Sequence, residues 1–157
     1  VADITYIATR EGWLYLACVM DLGSRKIVGW SMGERITADL VCQALTSAYW
    51  RRKPAAGLIM HTDRGSQGAS REYRRLIKLY GMVQSMSRRA NCWDNAAMES
   101  FFKALKVERV HQLRYETRAA ARLDIVDWIE GFYNHRRIHS SIGFRTPVDA
   151  EGSLRAA

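Results

Sequence analysis

Three carboxylates, Asp3, Asp63 and Glu99, stand where they can do chemistry together. Asp3 lies in an apolar, strand-like run, Val1-Ala2-Asp3-Ile4-Thr5-Tyr6-Ile7. Asp63 ends another, Leu58-Ile59-Met60-His61-Thr62-Asp63, just before Arg64-Gly65-Ser66. Glu99 sits near the start of a helical stretch, and thirty-five residues separate it from Asp63. Carboxylate oxygens are hard ligands that suit Mg²⁺ or Mn²⁺. Acids at the ends of neighbouring strands and on a helix beside them can converge on such an ion, which then acts on phosphate esters. Each acid also has a structural reading. Asp63 can cap a turn before Gly65, Glu99 can be a first-turn helix acid favoured by the macrodipole, and Asp3 can face solvent. Asp21 and Asp94 are rival acids that turn and cap roles explain.

The charge distribution points to the substrate class. Residues 1–50 hold four Lys/Arg against five Asp/Glu, whereas residues 51–157 hold twenty against eleven, within a net charge of +8. A basic second half suits a polyanion, and a nucleic-acid phosphodiester is the natural substrate of a divalent-metal site in such a chain. No apolar run reaches the roughly 18 residues of a membrane span, and no signal-peptide pattern is present. Cys18, Cys42 and Cys92 are odd in number and widely spaced, so neither a disulfide framework nor a zinc site is suggested; a reducing cytoplasm fits best.

The elements that must position the acids follow from periodicity. Residues 1–8, 13–20 and 26–34 alternate as a three-stranded antiparallel meander with Gly-containing turns. Residues 37–52 form a helix capped by Thr37, 58–62 a short buried strand, 70–80 a second helix ended by Gly81, and 82–86 a fifth strand. After the polar segment 87–93, Asp94 or Asn95 caps a third helix to about 109. Thr117 caps a fourth to about 134, with Ala121, Ile125, Trp128, Ile129 and Phe132 on its inner stripe. From about 138 a basic, irregular tail is expected, since Pro147 interrupts any helix running through it. Trp13, Trp30, Trp50 and Trp128 are expected in the core. The order βββαβαβα plus a further helix predicts one α/β domain over 1–157, a mixed five-stranded sheet with helices on both faces. In such a sheet the first and fourth strands can be neighbours, which brings Asp3 beside Asp63.

With these residues placed, the chain resembles the integrase catalytic core shared by retroviral integrases and bacterial insertion-sequence transposases. The resemblance rests on four stretches in order: 2–7, His61-Thr62-Asp63-Arg64-Gly65-Ser66-Gln67, 91–102 with Asn91-Cys92-Trp93-Asp94-Asn95, and Tyr133-Asn134-His135-Arg136-Arg137-Ile138-His139. It implies a ribonuclease-H-like fold and a DDE site of Asp3, Asp63 and Glu99 holding two Mg²⁺ or Mn²⁺ ions. It also implies phosphodiester hydrolysis followed by 3′-hydroxyl strand transfer in DNA transposition. Other implications are a homodimer or higher oligomer, DNA as partner, no small-molecule cofactor, and a bacterial, nucleoid-associated location. Relatives often carry an aromatic residue where Gly68-Ala69 stand here, which predicts looser packing behind Asp63.

Lys103 and Lys106 follow Glu99 by four and seven residues on one helix face. The resemblance makes them DNA-phosphate contacts, with an i,i+4 Glu–Lys pair as the structural alternative. Arg88, Arg89 and Asn91, and Arg136 and Arg137, are further DNA-contact candidates. His135 and His139 share the spacing of a zinc pair but lack supporting ligands. His61 is expected to be a structural hydrogen-bonding residue, and Trp93 a base-stacking candidate. The transposases of this family carry a helix-turn-helix region ahead of the core. Without it, DNA binding should rest on phosphates and fall steeply with salt. Two other readings stay open: a catalytically incompetent core fragment that binds DNA or dimerises, and a nuclease acting on RNA–DNA hybrids.

Overall fold

The computed structural model describes residues 1–86 and 95–157. Strands β1 (Ala2–Thr9), β2 (Gly12–Met20) and β3 (Ile27–Gly33) form the expected meander, and β4 (Ile59–Thr62) and β5 (Val83–Met86) extend it. The strand order is β3-β2-β1-β4-β5. β1 pairs antiparallel with β2 along its whole length, from Ala2 opposite Val19 to Thr9 opposite Gly12. Its pairing with β4 is parallel and brief, with Ala2 opposite Thr62. That one pair sets Asp3 and Asp63 at the same height on adjacent strands.

Each face of the sheet carries its own core, because β2 alternates with period two. Leu14, Leu16 and Cys18 point to one side, where Met98, Phe101 and Leu105 of α3 (Ala96–Glu108) and Ile125 of α4 (Arg118–Val126) cover them. Ala17 and Val19 point to the other, under Leu40, Leu45 and Ala48 of α1 (Ala38–Arg52) and Tyr73 and Ile77 of α2 (Arg71–Leu79). The close seat of α1 depends on Gly29 of β3: a Cβ there would lie 2.5 Å from the Ala44 carbonyl and 2.6 Å from the Ala48 nitrogen. Thr37, Ser70 and Thr117 cap α1, α2 and α4 by accepting from the third amide onward, as their types predict. Gly81 takes the left-handed backbone expected of it after α2.

The chain departs from expectation in three places. The fourth helix is not uniform: after α4 the chain widens into a π-helical stretch, Asp127–Tyr133, with Asn134 N–H donating to the Ile129 carbonyl five residues back. Widening advances the facing by about one residue, so Tyr133 is buried at 2% exposure while Phe132 is 39% exposed. Second, the C-terminal segment is not irregular. It forms α5 (Pro147–Ala156), capped by Thr146, with Pro147 at the first helical position, where a missing N–H costs nothing. Glu151 of α5 is buried and held by Lys26, Arg52 and Arg155, and Arg52 also reaches Asp21, so α5, α1 and the β2–β3 turn meet in one ionic cluster. Third, of the tryptophans among the described residues only Trp128 is fully packed in the core. Trp13 and Trp50 are 49% and 61% exposed, and the half-buried Trp30 donates to Glu130 at 2.8 Å. Cys18 and Cys42 are buried thiols.

Candidate active site

Asp3 is the centre of the site. Its Oδ1 accepts from the Ile4 amide at 2.8 Å and its Oδ2 from Asn95 Nδ2 at 2.7 Å. Burial pushes its carboxyl up from 3.8 to about 6. The charges of Asp63 and Glu99 push in the same direction, and the two hydrogen bonds oppose them. Three segments far apart in sequence therefore act on one carboxyl. Asp63, just past the end of β4, is exposed, and its Oδ1 accepts from the Gly65 amide at 2.9 Å, closing the turn expected of an Asp before Gly. Glu99 lies in the first turn of α3, exposed, and makes no hydrogen bond or ion pair among the described residues.

The donors suit a hard divalent cation: they are carboxylates, and the Oδ1 of Asn95 is buried beside them with no partner among the described residues. Among the described residues no group of three or more His, Cys, Asp or Glu is close enough together to hold an ion.

Asn95 is the residue that sequence reasoning undervalued. It begins α3, but its side chain makes no capping hydrogen bond and is directed instead to Asp3. Its place four residues before Glu99, on the same helix face, is the signal that could have marked it. A cavity of about 280 Å³ opens beside the two acids, lined by Asp3, Asp63, Thr62, Gln67, Gly68 and Tyr73 among others. Gly68 itself sits close on Thr62, where a Cβ would lie 3.0 Å from the hydroxyl, so the packing there is not loose, contrary to expectation. The hydroxyls of Thr62 and Tyr73 are buried there without partners among the described residues.

The basic candidates divide. Lys103 is exposed and forms no pair with Glu99. Lys106 lies over the Tyr6 ring at 4.7 Å, and Tyr6 meets Trp13 edge-on at 4.9 Å. Arg136 is exposed. Arg137 grips Glu108, with its Nε 3.0 Å from either carboxylate oxygen, and so joins the end of α3 to the segment after Tyr133. Arg88, Arg89 and Asn91, with Trp93 and Asp94, lie outside the described residues. The two histidines serve different neighbours: His135 Nδ1 meets the Glu130 carbonyl at 2.5 Å, and His139 Nδ1 meets Arg137 at 3.1 Å. His61 Nδ1 meets Ser85 Oγ at 3.0 Å, the structural contact expected of it. Asn134 is fully buried and bonds both the amide and the carbonyl of Ile27 at 3.0 Å, so it fixes β3 to the end of the π-helical stretch.

Residues 1–92 match the integrase core domain model, and residues 80–147 match a second integrase core domain model. The chain is 48% identical over 149 residues to transposase InsF for insertion sequence IS3A of Escherichia coli (strain K12), a match covering 95% of this chain and 52% of that protein. It is 46% identical over 151 residues to the transposase for insertion sequence element IS904 of Lactococcus lactis subsp. lactis (strain IL1403), covering 96% and 60%. The chain thus spans about half the length of the curated relatives it matches. Among solved structures it resembles a chain of the simian T-cell lymphotropic virus intasome in complex with PP2A regulatory subunit B56 gamma, with TM-score 0.77 and 17% identity over 99% of this chain and 54% of that one. It also resembles the HTLV-2 integrase catalytic core domain in complex with magnesium, in its trimeric form, with TM-score 0.69 and 15% identity over 95% and 92%. At such identities the likeness concerns the fold, which is that of the retroviral integrase core, ribonuclease-H-like. With a family match across more than half its length and close relatives along nearly all of it, the chain belongs to the integrase core domain family.

Proposed function

We propose that this chain is the catalytic core of a bacterial insertion-sequence transposase, hydrolysing DNA phosphodiesters and transferring the freed 3′-hydroxyl to a second DNA strand. Asp3, Asp63 and Glu99 would hold two Mg²⁺ or Mn²⁺ ions. When bound, these ions supply Lewis acidity at the phosphate and lower the pKa of the attacking oxygen. The observation that carries the reading is the placement of Asp3 beside Asp63, through the Ala2–Thr62 pairing of β1 with β4, and beside the first turn of α3, through the 2.7 Å hydrogen bond from Asn95. Burial, then Asp63 and Glu99, push the Asp3 carboxyl up to about 6. A buried acid pressed by two others gains most from a divalent cation.

The remaining residues position and neutralise. Asn95 orients the Asp3 carboxylate and favours its charged form. Lys103 and Lys106 extend from the Glu99 face of α3 toward the DNA backbone, and the Tyr6 ring restrains Lys106. Arg88, Arg89, Asn91, Arg136 and Arg137 are proposed as further DNA contacts. The protein acts as a homodimer or higher oligomer on DNA in the bacterial cytoplasm. Among the described residues no helix is long and apolar enough to cross a membrane.

The test is cleavage and strand transfer on a labelled duplex carrying the element's terminal repeat, with Mg²⁺ or Mn²⁺ and Glu99→Gln as control. Metal-dependent products that disappear in the variant support the proposal. Equal inertness of both proteins, with no effect of metal on the Tm of either, overturns it and leaves a DNA-binding or dimerisation module.

A further inference from the structure

A second polar cleft opens on another side of α3 from Glu99. It has a volume of about 440 Å³ and lies between the first turn of α3, the β2–β3 turn and residues 137–141. Its chemistry is that of an anion site. Arg25 is half-buried at its edge and makes no hydrogen bond or ion pair through its side chain among the described residues. Arg137 lines the same wall; Glu108 holds its Nε and Nη2, while its Nη1 is turned to His139.

His139 supplies the decisive detail. A guanidinium can only donate, so the Nδ1 that meets Arg137 Nη1 at 3.1 Å is the acceptor nitrogen. The ring is neutral, because burial and the charges of Arg137 and Arg25 press its pKa down to about 4. Its single proton is therefore on Nε2. That atom is buried and has no partner among the described residues. The Tyr133 ring, edge-on at 4.9 Å, holds the imidazole in place. A buried N–H donor without an acceptor, beside two guanidinium groups, lacks an oxygen.

The helix completes the cleft. Ala96, Ala97 and Ser100 of α3 line it. Because the Asn95 side chain is given to Asp3, it does not cap the first-turn amides of α3. Among the described residues no side chain caps these amides, and the positive end of a 13-residue helix favours an anion. The hydroxyls of Ser100 and Ser141 add donors on two sides.

We propose that this cleft binds a phosphate group through Arg25, Arg137, the His139 Nε2–H and the first turn of α3. The favoured source is a backbone phosphate of DNA on the strand that runs past Glu99; that source, though not the site, rests on the function proposed above. Arg25 offers a guanidinium fork, and the Arg137 charge and the neutral imidazole donor add to it; such a set suits the several oxygens of a phosphate.

Two measurements on the full chain test the proposal. In the first, inorganic phosphate is titrated against ¹⁵N-labelled protein while the His139 imidazole is followed by NMR. The Nε2–H resonance should shift and saturate, and Arg25→Gln should weaken the apparent affinity about tenfold, with Arg25→Lys recovering part of it. In the second, affinity for a short duplex is measured against salt. Arg25→Gln should lower the slope of log K against log[salt] by about 0.9, the loss of one phosphate contact. Thermal melting of each variant confirms folding, since Arg25 carries no structural pair.

Both changes together support the site and assign it to DNA. A His139 shift with an unchanged salt slope supports the site and assigns it to free phosphate. A His139 shift in a protein that never cuts DNA keeps the site and removes the transposase reading. No His139 response and no change of slope overturn the site, even if the chain cuts DNA.

Discussion

Replacing Asp3 by Asn should stabilise the metal-free protein at pH 7.5, and the gain should vanish in acid. The Asp3 carboxyl is raised from 3.8 to about 6, by burial first and then by Asp63 and Glu99, against the hydrogen bonds from Ile4 and Asn95. A carboxyl raised on folding adds its full stability below the unfolded value, near 3.8, and loses it as pH rises through about 6. About two pH units at about 1.4 kcal/mol each put the cost of ionising it in the fold near 3 kcal/mol. Asn carries no charge and escapes that cost. It has one oxygen, however, and cannot accept from both Ile4 N–H and Asn95 Nδ2 as Asp3 does. One lost hydrogen bond costs about 1 kcal/mol. The net gain is about 2 kcal/mol, or about 5 °C in Tm for a chain of this length. Near pH 4.5 the charge cost falls to about 1 kcal/mol, so the two proteins should melt together. Thermal unfolding in EDTA at both pH values measures this. Adding Mg²⁺ at about 100 times its Kd should then raise the wild type by about 2.7 kcal/mol and the variant by much less. A variant less stable than wild type at pH 7.5, or a difference that does not change between the two pH values, refutes the burial argument.

Three other perturbations separate the contributions of neighbouring residues. Asn95→Ala removes a hydrogen bond that favours ionised Asp3, so Mn²⁺ binding followed by calorimetry across pH should weaken and move its midpoint up by about half a unit to one unit. Asn134→Ala leaves the amide and carbonyl of Ile27 unpaired in the core, and urea denaturation should show a loss of about 2–4 kcal/mol. Gly29→Ala places a methyl against the backbone of α1 at Ala44 and Ala48. It should cost about 1–3 kcal/mol in the same assay, and a neutral result would mean that α1 is not held as closely as the structure has it.

What could be foreseen from the residues was governed by local chemistry. Thr37, Ser70 and Thr117 cap helices because a short side-chain oxygen reaches an amide two or three residues on, and no distant partner is needed. The adjacency of β1 and β4, which sets Asp3 beside Asp63, follows from the apolar runs and from the order of elements. What escaped was decided by distant contacts. Tyr133 replaces Phe132 in the core because the helix widens, and nothing in local periodicity marks that widening. Pro147 starts a helix because its segment docks through Glu151 onto Lys26 and Arg52, residues more than 95 positions away. Arg137 looked like a free cation, yet Glu108, 29 residues earlier, engages most of its donors.

The first turns of α3 join these observations. Met98, Phe101 and Leu105 fix the helix in the core, so its surface positions are held with little freedom. One exposed side carries Glu99, Lys103 and Lys106; another, about a quarter-turn round, carries Ala96 and Ser100 toward the second cleft. A chain of rings connects the core to that cleft: Phe101 meets Tyr133 edge-on at 4.8 Å, and Tyr133 meets His139 at 4.9 Å. Asn95 completes the link, because turning its Nδ2 to Asp3 keeps its Oδ1, the atom that could accept from the helix end, from capping. The same choice therefore favours the charged acid at one site and leaves donors for an anion at the other. A substitution that returned residue 95 to capping, such as Asn95→Ser, should act on both: Asp3 loses its orienting donor, and the cleft loses amides to the new cap. Weaker Mn²⁺ binding together with a smaller phosphate response of His139 would show that coupling. If Asn95→Ser affected metal alone, the first-turn amides would have no part in the cleft.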